Sequence, residues 1–192
     1  MVKLNICIDI DGTITDPYYF LEKANLYFKT TITKEQVVDY RTSKVFNVTE
    51  TDYIKFYEEN KILLHSNQEL RSDALEIISI LYEYHNIHFV TARDKSLELL
   101  THSYIYRNNL PCDSIHVIGT PHKGEVANNL KCDIFIEDSY DNALELSNLG
   151  FKVLLIDTNY NRHPLNNNIT RVFDWYDIYY EVNKYAITKE AI

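Results

Sequence analysis

The sequence predicts an α/β fold: a Rossmann-like, doubly wound parallel sheet with a small helical insertion after its first strand. Apolar, β-branched runs recur along the chain, and segments with helical periodicity separate them. Continuous apolar runs are typical of parallel strands covered on both faces, and strand–helix alternation favours this architecture. The alternation stops between residues 17 and 66, where helical pieces follow one another without a convincing strand.

The elements are predicted in chain order from these runs. Strands are expected at 4–9, 87–91, 115–118, 134–137 and 153–157, with a weaker sixth at 169–173. Helices of the core are expected at 73–84, 96–108, 123–130, 142–149 and 175–185. Shorter helices of the insertion are expected at 19–28, 34–40 and 50–60.

Helix-capping residues stand at several of these boundaries. Gly150 follows the helix at 142–149, as expected of a glycine that ends a helix. Ser72 or the neighbouring Asp73 is expected to cap the helix that begins near 73. Two pairs in the insertion have the spacing of N-terminal caps: Thr33 with Gln36, and Thr49 with Asp52.

The 192 residues are predicted to form one domain that carries the insertion. Residues 1–16 and 67–192 are assigned to the α/β core. Residues 17–66 are assigned to the helical insertion, which therefore separates the first strand from the rest of the core.

Composition excludes several classes of function. The formal net charge is −9 at pH 7, so the chain lacks the basic surface that a nucleic-acid polymer requires. No apolar run approaches membrane length and no N-terminal signal pattern is present, so neither a membrane partner nor secretion is expected. The three cysteines lack metal-type spacing and are expected to be reduced thiols of a cytoplasmic protein.

Two carboxylates mark the end of the first predicted strand, in the run Ile8-Asp9-Ile10-Asp11-Gly12-Thr13. Alternate residues of a strand share a face, so Asp9 and Asp11 are crowded, and Gly12 lets the chain turn sharply after them. Their repulsion calls for a proton or a cation, and hard oxygen ligands suit Mg²⁺. The same residues also suit an ordinary β-turn, so the other strand ends decide between the two interpretations.

Polar residues recur where the other predicted strands end. Ligands of open parallel sheets bind at the carboxyl ends of the strands, so these residues are expected to meet at one edge. Side chains suited to phosphate or metal stand at four of five such ends: Asp9 and Asp11, Thr91 and Arg93 beside Ala92, Glu137 and Asp138, and Asp157.

The chain resembles the haloacid dehalogenase superfamily, whose phosphatases carry four short motifs at successive strand ends. The matching motifs are Asp9-Ile10-Asp11-Gly12-Thr13, Thr91 after its strand, Lys123 at the start of a helix, and the pair Glu137-Asp138. Their order, spacing and strand context agree over essentially the full chain. Two stretches also resemble bacterial nucleotidases related to the 5′(3′)-deoxyribonucleotidases: His122-Lys123-Gly124 leading to Ile136-Glu137-Asp138-Ser139, and Asp157-Thr158-Asn159-Tyr160-Asn161-Arg162.

This resemblance implies a Mg²⁺-dependent phosphomonoester hydrolase that works through an aspartyl-phosphate. It assigns nucleophilic attack to Asp9 and general acid/base catalysis to Asp11. Dehalogenases lack the second of these residues, so cleavage of a carbon–halogen bond is disfavoured. The Mg²⁺ ligands implied are Asp9, the backbone carbonyl of Asp11, and Asp138.

The resemblance also implies how phosphate is bound. Thr91, with its neighbour Ala92, and Lys123 are the expected phosphate-binding residues, and free N–H groups at the start of the Lys123 helix add to them. Three further residues have open roles: Glu137 as a ligand or as a hydrogen-bond acceptor beside the metal, Arg93 paired with phosphate or with Asp94 and the insertion, and Asp141 in positioning the loop.

The insertion lies where the superfamily places a mobile cap, which excludes water and selects the leaving group. Tyr18, Tyr19 and Phe20 open it, and are expected either to form its core or to supply a ring that stacks on a nucleobase. The run Arg41 to Lys44 is its densest polar cluster and a candidate to recognise a ribose or base.

A (deoxy)nucleoside monophosphate is the favoured substrate. One alternative is a phosphatase for another small phosphomonoester, such as a sugar phosphate. The other is a nucleotide-binding protein that has lost turnover. The complete set Asp9, Asp11, Thr91, Lys123 and Asp138 argues against the loss of turnover.

Overall fold

The computed structural model describes residues 2–191 and has the predicted α/β architecture. The strands are β1 (Asn5–Ile8), β2 (Asn86–Thr91), β3 (Ser114–Val117), β4 (Ile134–Glu137), β5 (Lys152–Ile156) and β6 (Ile169–Val172). They form a six-stranded sheet in the order β3-β2-β1-β4-β5-β6. Every neighbouring pair is parallel, which confirms the predicted fold class.

The direction in which strands are added reverses beside β1. This strand pairs with β2 on one side and β4 on the other, so Ile6 lies opposite both Ile87 and Ile134. The chain adds β2 and β3 on the first side, and then crosses to add β4, β5 and β6 on the second. A crevice forms at such a switch point, outside the carboxyl ends of the strands, and ligands bind there.

Helices cover both faces of the sheet. In chain order they are α1 (Leu21–Phe28), α2 (Thr42–Val45), α3 (Glu50–Ser66), α4 (Ala74–Tyr84), α5 (Glu98–Arg107), α6 (Gly124–Asn129), α7 (Tyr140–Asn148) and α8 (Trp175–Glu190). Helices α4, α5 and α8 pack against the face that carries Ile6 and Ile8, and α6 and α7 against the face that carries Cys7. None of the helices within residues 2–191 is both long and apolar enough to cross a membrane.

The insertion has an apolar cluster of its own, formed mainly by α1, α3 and the segment between them. Its buried members are Leu21, Ala24, Val37, Phe46, Phe56 and Leu64, together with Tyr160 from the loop after β5. Aromatic rings of Tyr18, Tyr19 and Phe20 pack against the same cluster. The insertion therefore rests on the core partly through Tyr160.

Helix boundaries in the insertion differ from the prediction. The helix expected at 34–40 is wrong, because only Lys34–Gln36 is helical and it forms a 3₁₀ turn. Val37 then leaves the helical conformation and its side chain is buried in the cluster of the insertion. Helix α2 was not predicted, and α3 continues past the expected end at 60 to Ser66. Burial of a β-branched residue outweighs a weak local preference for helix here.

Most of the predicted caps are confirmed. Thr33 and Gln36 form a reciprocal capping box, and Thr49 accepts a hydrogen bond from the backbone N–H of Asp52 at 3.1 Å. The cap predicted for α4 is wrong. Asp73 occupies the N-cap position with φ of +64° and its side chain makes no capping bond. Side-chain caps need the extended backbone that this position lacks.

Candidate active site

The switch point brings most of the predicted site residues around one cavity of about 160 Å³. Asp9 and Asp11 follow β1, and Glu137 ends the neighbouring strand β4. Residues of the predicted set that line the cavity are Asp9, Asp11, Thr91, Ala92, Arg93 and Glu137. Lys123 does not line this cavity but contacts Asp9, and Asp138 lines a second cavity. Asp141 is not brought here, because it lines a separate cavity with Tyr140 and His163.

Lys123 stands at the N-terminus of α6 with its side chain almost completely buried. Its Nζ donates to Asp9 Oδ1 and to Glu137 Oε1, the second bond measuring 2.5 Å. Burial opposes the charged form of Lys123, but the charges of Asp9 and Glu137 outweigh it and raise the pKa of the lysine. The site therefore contains a fixed cation beside the carboxylate of Asp9.

Glu137 is fully buried and each of its carboxylate oxygens accepts two hydrogen bonds. Oε2 accepts from the backbone N–H groups of Asp138 and Ser139, both at 3.0 Å. Oε1 accepts from Lys123 Nζ and from Asn142 Nδ2, the latter at 3.0 Å. These contacts fix the loop after β4 and the position of the lysine.

Glu137→Ala is expected to lower the free energy of unfolding by about 3–5 kcal/mol, because it breaks a buried ion pair and removes the acceptor of two backbone N–H groups. Urea denaturation measures the change. Glu145→Ala is the matched control, because Glu145 pairs at 2.8 Å with the largely exposed His122. An exposed pair contributes at most about 1 kcal/mol. Equal losses in the two variants would contradict the role assigned to Glu137.

Asp138 lies between the loop after β1 and the loop after β5. Its Oδ1 accepts from the hydroxyl of Thr13 at 3.1 Å, and its Oδ2 from the hydroxyl of Tyr160 at 2.5 Å. Gly12 makes this approach possible, since a Cβ at that position would lie 2.5 Å from Asp138 Oδ2. Burial and the neighbouring Glu137 carboxylate raise the pKa of Asp138 to about 7.

The donor set fits a hard divalent cation. Asp9, Glu137 and Asp138 each offer a carboxylate oxygen, all of these oxygens lie within 4.8 Å of one another, and all three residues are buried. Burial raises the pKa of Asp9 well above its usual range; Lys123 opposes this rise, and the Glu137 and Asp138 carboxylates add to it. The single positive charge of Lys123 thus does not offset the repulsion among these three carboxylates. A divalent cation would offset it, and Mg²⁺ prefers such oxygen ligands.

Asp11 points away from this cluster and is held by three side chains. Arg93 Nε and Nη2 donate to its two oxygens, each at 2.8 Å. Gln68 Nε2 donates at 2.6 Å, and His65 Nδ1 lies 3.1 Å from the same carboxylate. Burial alone would raise the pKa of Asp11, but the charges of Arg93 and His65 and their hydrogen bonds hold it well below its usual range. Arg93 thus pairs with Asp11 rather than with Asp94.

Thr91 is buried at the end of β2, where its hydroxyl accepts from the backbone N–H of Arg93 at 3.2 Å. The hydroxyl proton stays available for an acceptor in the cavity, which Thr91 and Ala92 both line. A phosphate oxygen is such an acceptor.

A second cavity, of about 130 Å³, lies between the insertion and the core. Asp11, Tyr19 and Tyr40 line both cavities, so the second continues the first. Its other lining residues are mostly aromatic or apolar and include Phe20, Val37, Tyr53 and Tyr160. The polar run from Arg41 to Lys44, a candidate to recognise a ribose or base, lies mostly outside this cavity. Arg41 and Lys44 pair with Asp39, at 3.5 and 3.4 Å, and their side chains are more than half exposed. Thr42 is the member of this run that lines the second cavity.

Some residues that contact the two aspartates of the site had no role assigned from the sequence. They are His65 and Gln68, which hold Asp11, and Tyr160 and Asn161, which contact Asp138. His65 belongs to the part of α3 beyond its predicted end, and no local pattern marks it. Tyr160 and Asn161 follow the strand end at Asp157, so the strand-end rule pointed to their loop without assigning them a role.

Comparison with known proteins agrees with this geometry. A family model described as 5′ nucleotidase, deoxy (pyrimidine), cytosolic type C protein matches residues 3–186. A nucleotidase of Clostridium acetobutylicum is 52% identical over 192 residues, which cover 100% of both chains.

Solved structures show the same fold at low sequence identity. A hydrolase of the haloacid dehalogenase-like family from Streptococcus pneumoniae has a TM-score of 0.70 at 15% identity, covering 95% of this chain and 98% of that one. The magnesium-bound "putative HAD-hydrolase YfnB" of Bacillus subtilis has a TM-score of 0.62 at 16% identity, covering 95% and 100%. The family model matches nearly the whole chain, so the chain belongs to the family of cytosolic type C 5′ nucleotidases, and it has the fold of haloacid dehalogenase-like hydrolases.

Proposed function

We propose that this protein is a Mg²⁺-dependent 5′-nucleotidase that hydrolyses (deoxy)nucleoside monophosphates through an aspartyl-phosphate on Asp9. One observation carries the proposal. The Asp9 carboxylate lies at the switch point of the sheet, beside the buried ammonium of Lys123 and within a cluster of three carboxylates, facing a cavity of about 160 Å³. A nucleophile, a fixed cation and a place for a divalent metal thus coincide.

In the proposed reaction an oxygen of Asp9 attacks the phosphorus atom, and the bond from phosphorus to the leaving alcohol oxygen breaks. Asp11 gives its proton to that oxygen as the alcohol leaves. Asp11 then takes a proton from a water molecule, whose oxygen attacks the aspartyl-phosphate and releases phosphate from Asp9. Lys123 and Thr91 hold phosphate oxygens through both steps, which is how positioning and charge lower the barrier to phosphoryl transfer.

Asp11 must change partners during this cycle. While Arg93 donates to both of its oxygens, its carboxylate is ionised and has no proton to give. We propose that Asp11 turns from Arg93 toward the leaving oxygen when substrate enters, which brings its pKa back toward the range a general acid needs.

Asp9, Asp138 and the backbone carbonyl of Asp11 would hold the Mg²⁺, with Glu137 as an acceptor that orders the loop rather than as a ligand. The four hydrogen bonds that Glu137 already accepts support this division. When bound, the metal neutralises the charge of the phosphoryl group and screens it from Asp9.

The insertion, residues 17–66, is proposed to act as the cap that selects the leaving group. A nucleoside is favoured because the second cavity, with its mostly aromatic and apolar lining, lies next to the one lined by Asp9 and Thr91 and shares aromatic residues with it. Aromatic rings provide stacking surfaces for a base. The cap would have to open to admit a whole nucleotide, since each of the two cavities is smaller than a typical ligand pocket.

We also propose a cytoplasmic protein whose partners are small phosphorylated molecules rather than nucleic-acid polymers. Cys7, Cys112 and Cys132 are free thiols, as a reducing compartment maintains them. The net charge of −9 supplies no basic surface for a polymer.

Removing the metal is expected to stop the reaction. Purified protein is incubated with deoxynucleoside monophosphates, nucleoside monophosphates and sugar phosphates, and released phosphate is measured with Mg²⁺ and with excess chelator. Release from nucleotides in Mg²⁺, lost with chelator and restored by added Mg²⁺, is the expected result. Faster release from sugar phosphates than from nucleotides would show that a sugar phosphate is the preferred substrate. Release that is unaffected by chelator would refute the metal requirement.

A further inference from the structure

The loop after β5 holds Asp138 at two points. Tyr160 donates its hydroxyl to the carboxylate of Asp138 at 2.5 Å. Asn161, which is completely buried, donates Nδ2 to the backbone carbonyl of Asp138 at 2.7 Å and to that of Ile156 at 2.8 Å. One loop therefore positions both the backbone and the side chain of Asp138.

This loop is itself fixed to the sheet. Arg171 on β6 donates to the side-chain oxygen of Asn161 at 2.7 Å, to its backbone carbonyl at 2.9 Å, and to Asp157 at 2.9 Å. Asn161 also accepts from the backbone N–H of Thr158 at 3.2 Å. The Tyr160 hydroxyl thus extends from a rigid base toward Asp138.

The ring of Tyr160 contacts a different part of the molecule from the one that its hydroxyl contacts. It is buried in the apolar cluster of the insertion, although Tyr160 is part of the α/β core by sequence. Its ring centroid lies 6.3 Å from that of Tyr18 and 5.7 Å from that of Tyr40, both residues of the insertion. One side chain therefore contacts the proposed cap with its ring and the proposed metal ligand with its hydroxyl.

From this arrangement we infer that Tyr160 is a positioning residue that couples seating of the insertion to the cation affinity of Asp138. The inference rests on the proposed function, because Asp138 must be a metal ligand. A hydrogen bond to a ligating carboxylate fixes its orientation, and loss of such a bond typically costs about 10- to 100-fold in metal affinity. A carboxylate has about four acceptor positions. Thr13 and Tyr160 occupy one on each oxygen of Asp138, so positions for a cation remain.

Coupling of this kind works in both directions. If the seated insertion favours the orientation of Asp138 that binds a cation, a bound cation must favour the seated insertion by the same free energy. Helices α1 and α3 should therefore become better protected from opening when Mg²⁺ binds. The coupling should disappear when the hydroxyl of Tyr160 is removed and its ring is kept.

The test uses Tyr160→Phe with Tyr18→Phe as the matched control. The Tyr18 hydroxyl accepts from the backbone N–H of Asn159 at 3.2 Å, so the control also removes a phenol that bonds to this loop, but one away from Asp138. Mg²⁺ binding is measured by calorimetry on the three proteins without substrate. Hydrogen exchange in α1 and α3 is followed with and without Mg²⁺, and circular dichroism confirms that each variant is folded.

We expect Tyr160→Phe to bind Mg²⁺ about 10- to 100-fold more weakly. Mg²⁺ should slow exchange in α1 and α3 of the parent and of Tyr18→Phe, but not of Tyr160→Phe. If Tyr160→Phe binds Mg²⁺ as the parent does, or if Mg²⁺ protects its helices equally, the coupling is refuted and the proposed function stands. If the parent itself binds no Mg²⁺, the metal-dependent function fails together with the inference.

Discussion

Asp9→Asn is expected to lower the rate of phosphate release by about 10⁴-fold or more, because an amide cannot form the phosphorylated intermediate. The protein should stay folded. Burial and neighbouring carboxylates already disfavour the charged form of Asp9, and Lys123 keeps Glu137 as a partner. Steady-state phosphate release measures the loss, and urea denaturation should show little change in the free energy of unfolding.

Glu125→Gln is a suitable control for this experiment, since Glu125 lies exposed on α6, two residues from Lys123. It removes a negative charge near the site without touching a residue of the proposed machinery, so its rate should match that of the parent. Residual turnover of Asp9→Asn within tenfold of the parent would show that another group is the nucleophile. The sheet would then still define the fold, but the proposed intermediate would be wrong.

Gly12→Ala is expected to cost both stability and activity. The glycine has φ of +84°, and an added Cβ would lie 2.5 Å from Asp138 Oδ2 and 2.9 Å from the Tyr160 hydroxyl. The backbone conformation costs an L-residue about 1–2 kcal/mol and the overpacking about 1–3 kcal/mol more. Displacement of Asp138 by about an ångström should slow phosphate release by about 10²-fold.

The two contributions can be separated with Gly150→Ala. Gly150 has φ of +95°, but an added Cβ there meets no atom within 4 Å. It therefore reports the backbone cost alone and should leave phosphate release unchanged. If denaturation midpoints and rates of the two variants agree, the close approach of Gly12 to Asp138 has no importance for the site.

Local patterns were enough to predict the sheet and the residues that end its strands. Asp9, Thr91 and Asp138 could be placed because a strand directs its last residues to one edge whatever the rest of the chain does. The contact between Lys123 and Asp9 spans 114 positions, and the motif resemblance brought these residues together without describing their ion pair.

Other parts of the site depend on packing that a local pattern does not contain. His65 reaches Asp11 because α3 continues past residue 60 and docks against the core, which hydrophobic periodicity did not indicate. Val37 leaves the helical conformation because burial in the insertion outweighs its local preference. No local pattern distinguishes Tyr160 from an ordinary loop residue. Only in the folded chain does its ring pack in the insertion while its hydroxyl donates to Asp138.

If Asp11 is the general acid proposed above, the donors that surround it affect which phosphate esters the enzyme hydrolyses. His65 comes from the end of the insertion and Arg93 from the core, so freeing Asp11 disturbs contacts on both sides. Binding energy from the part of a substrate that does not react can offset such a cost. An ester too small to touch the insertion supplies none of this binding energy. The site would bind its phosphate group normally, yet the ester would turn over slowly. Selectivity would then be expressed in kcat rather than in KM, which protects small phosphorylated metabolites even when they are abundant.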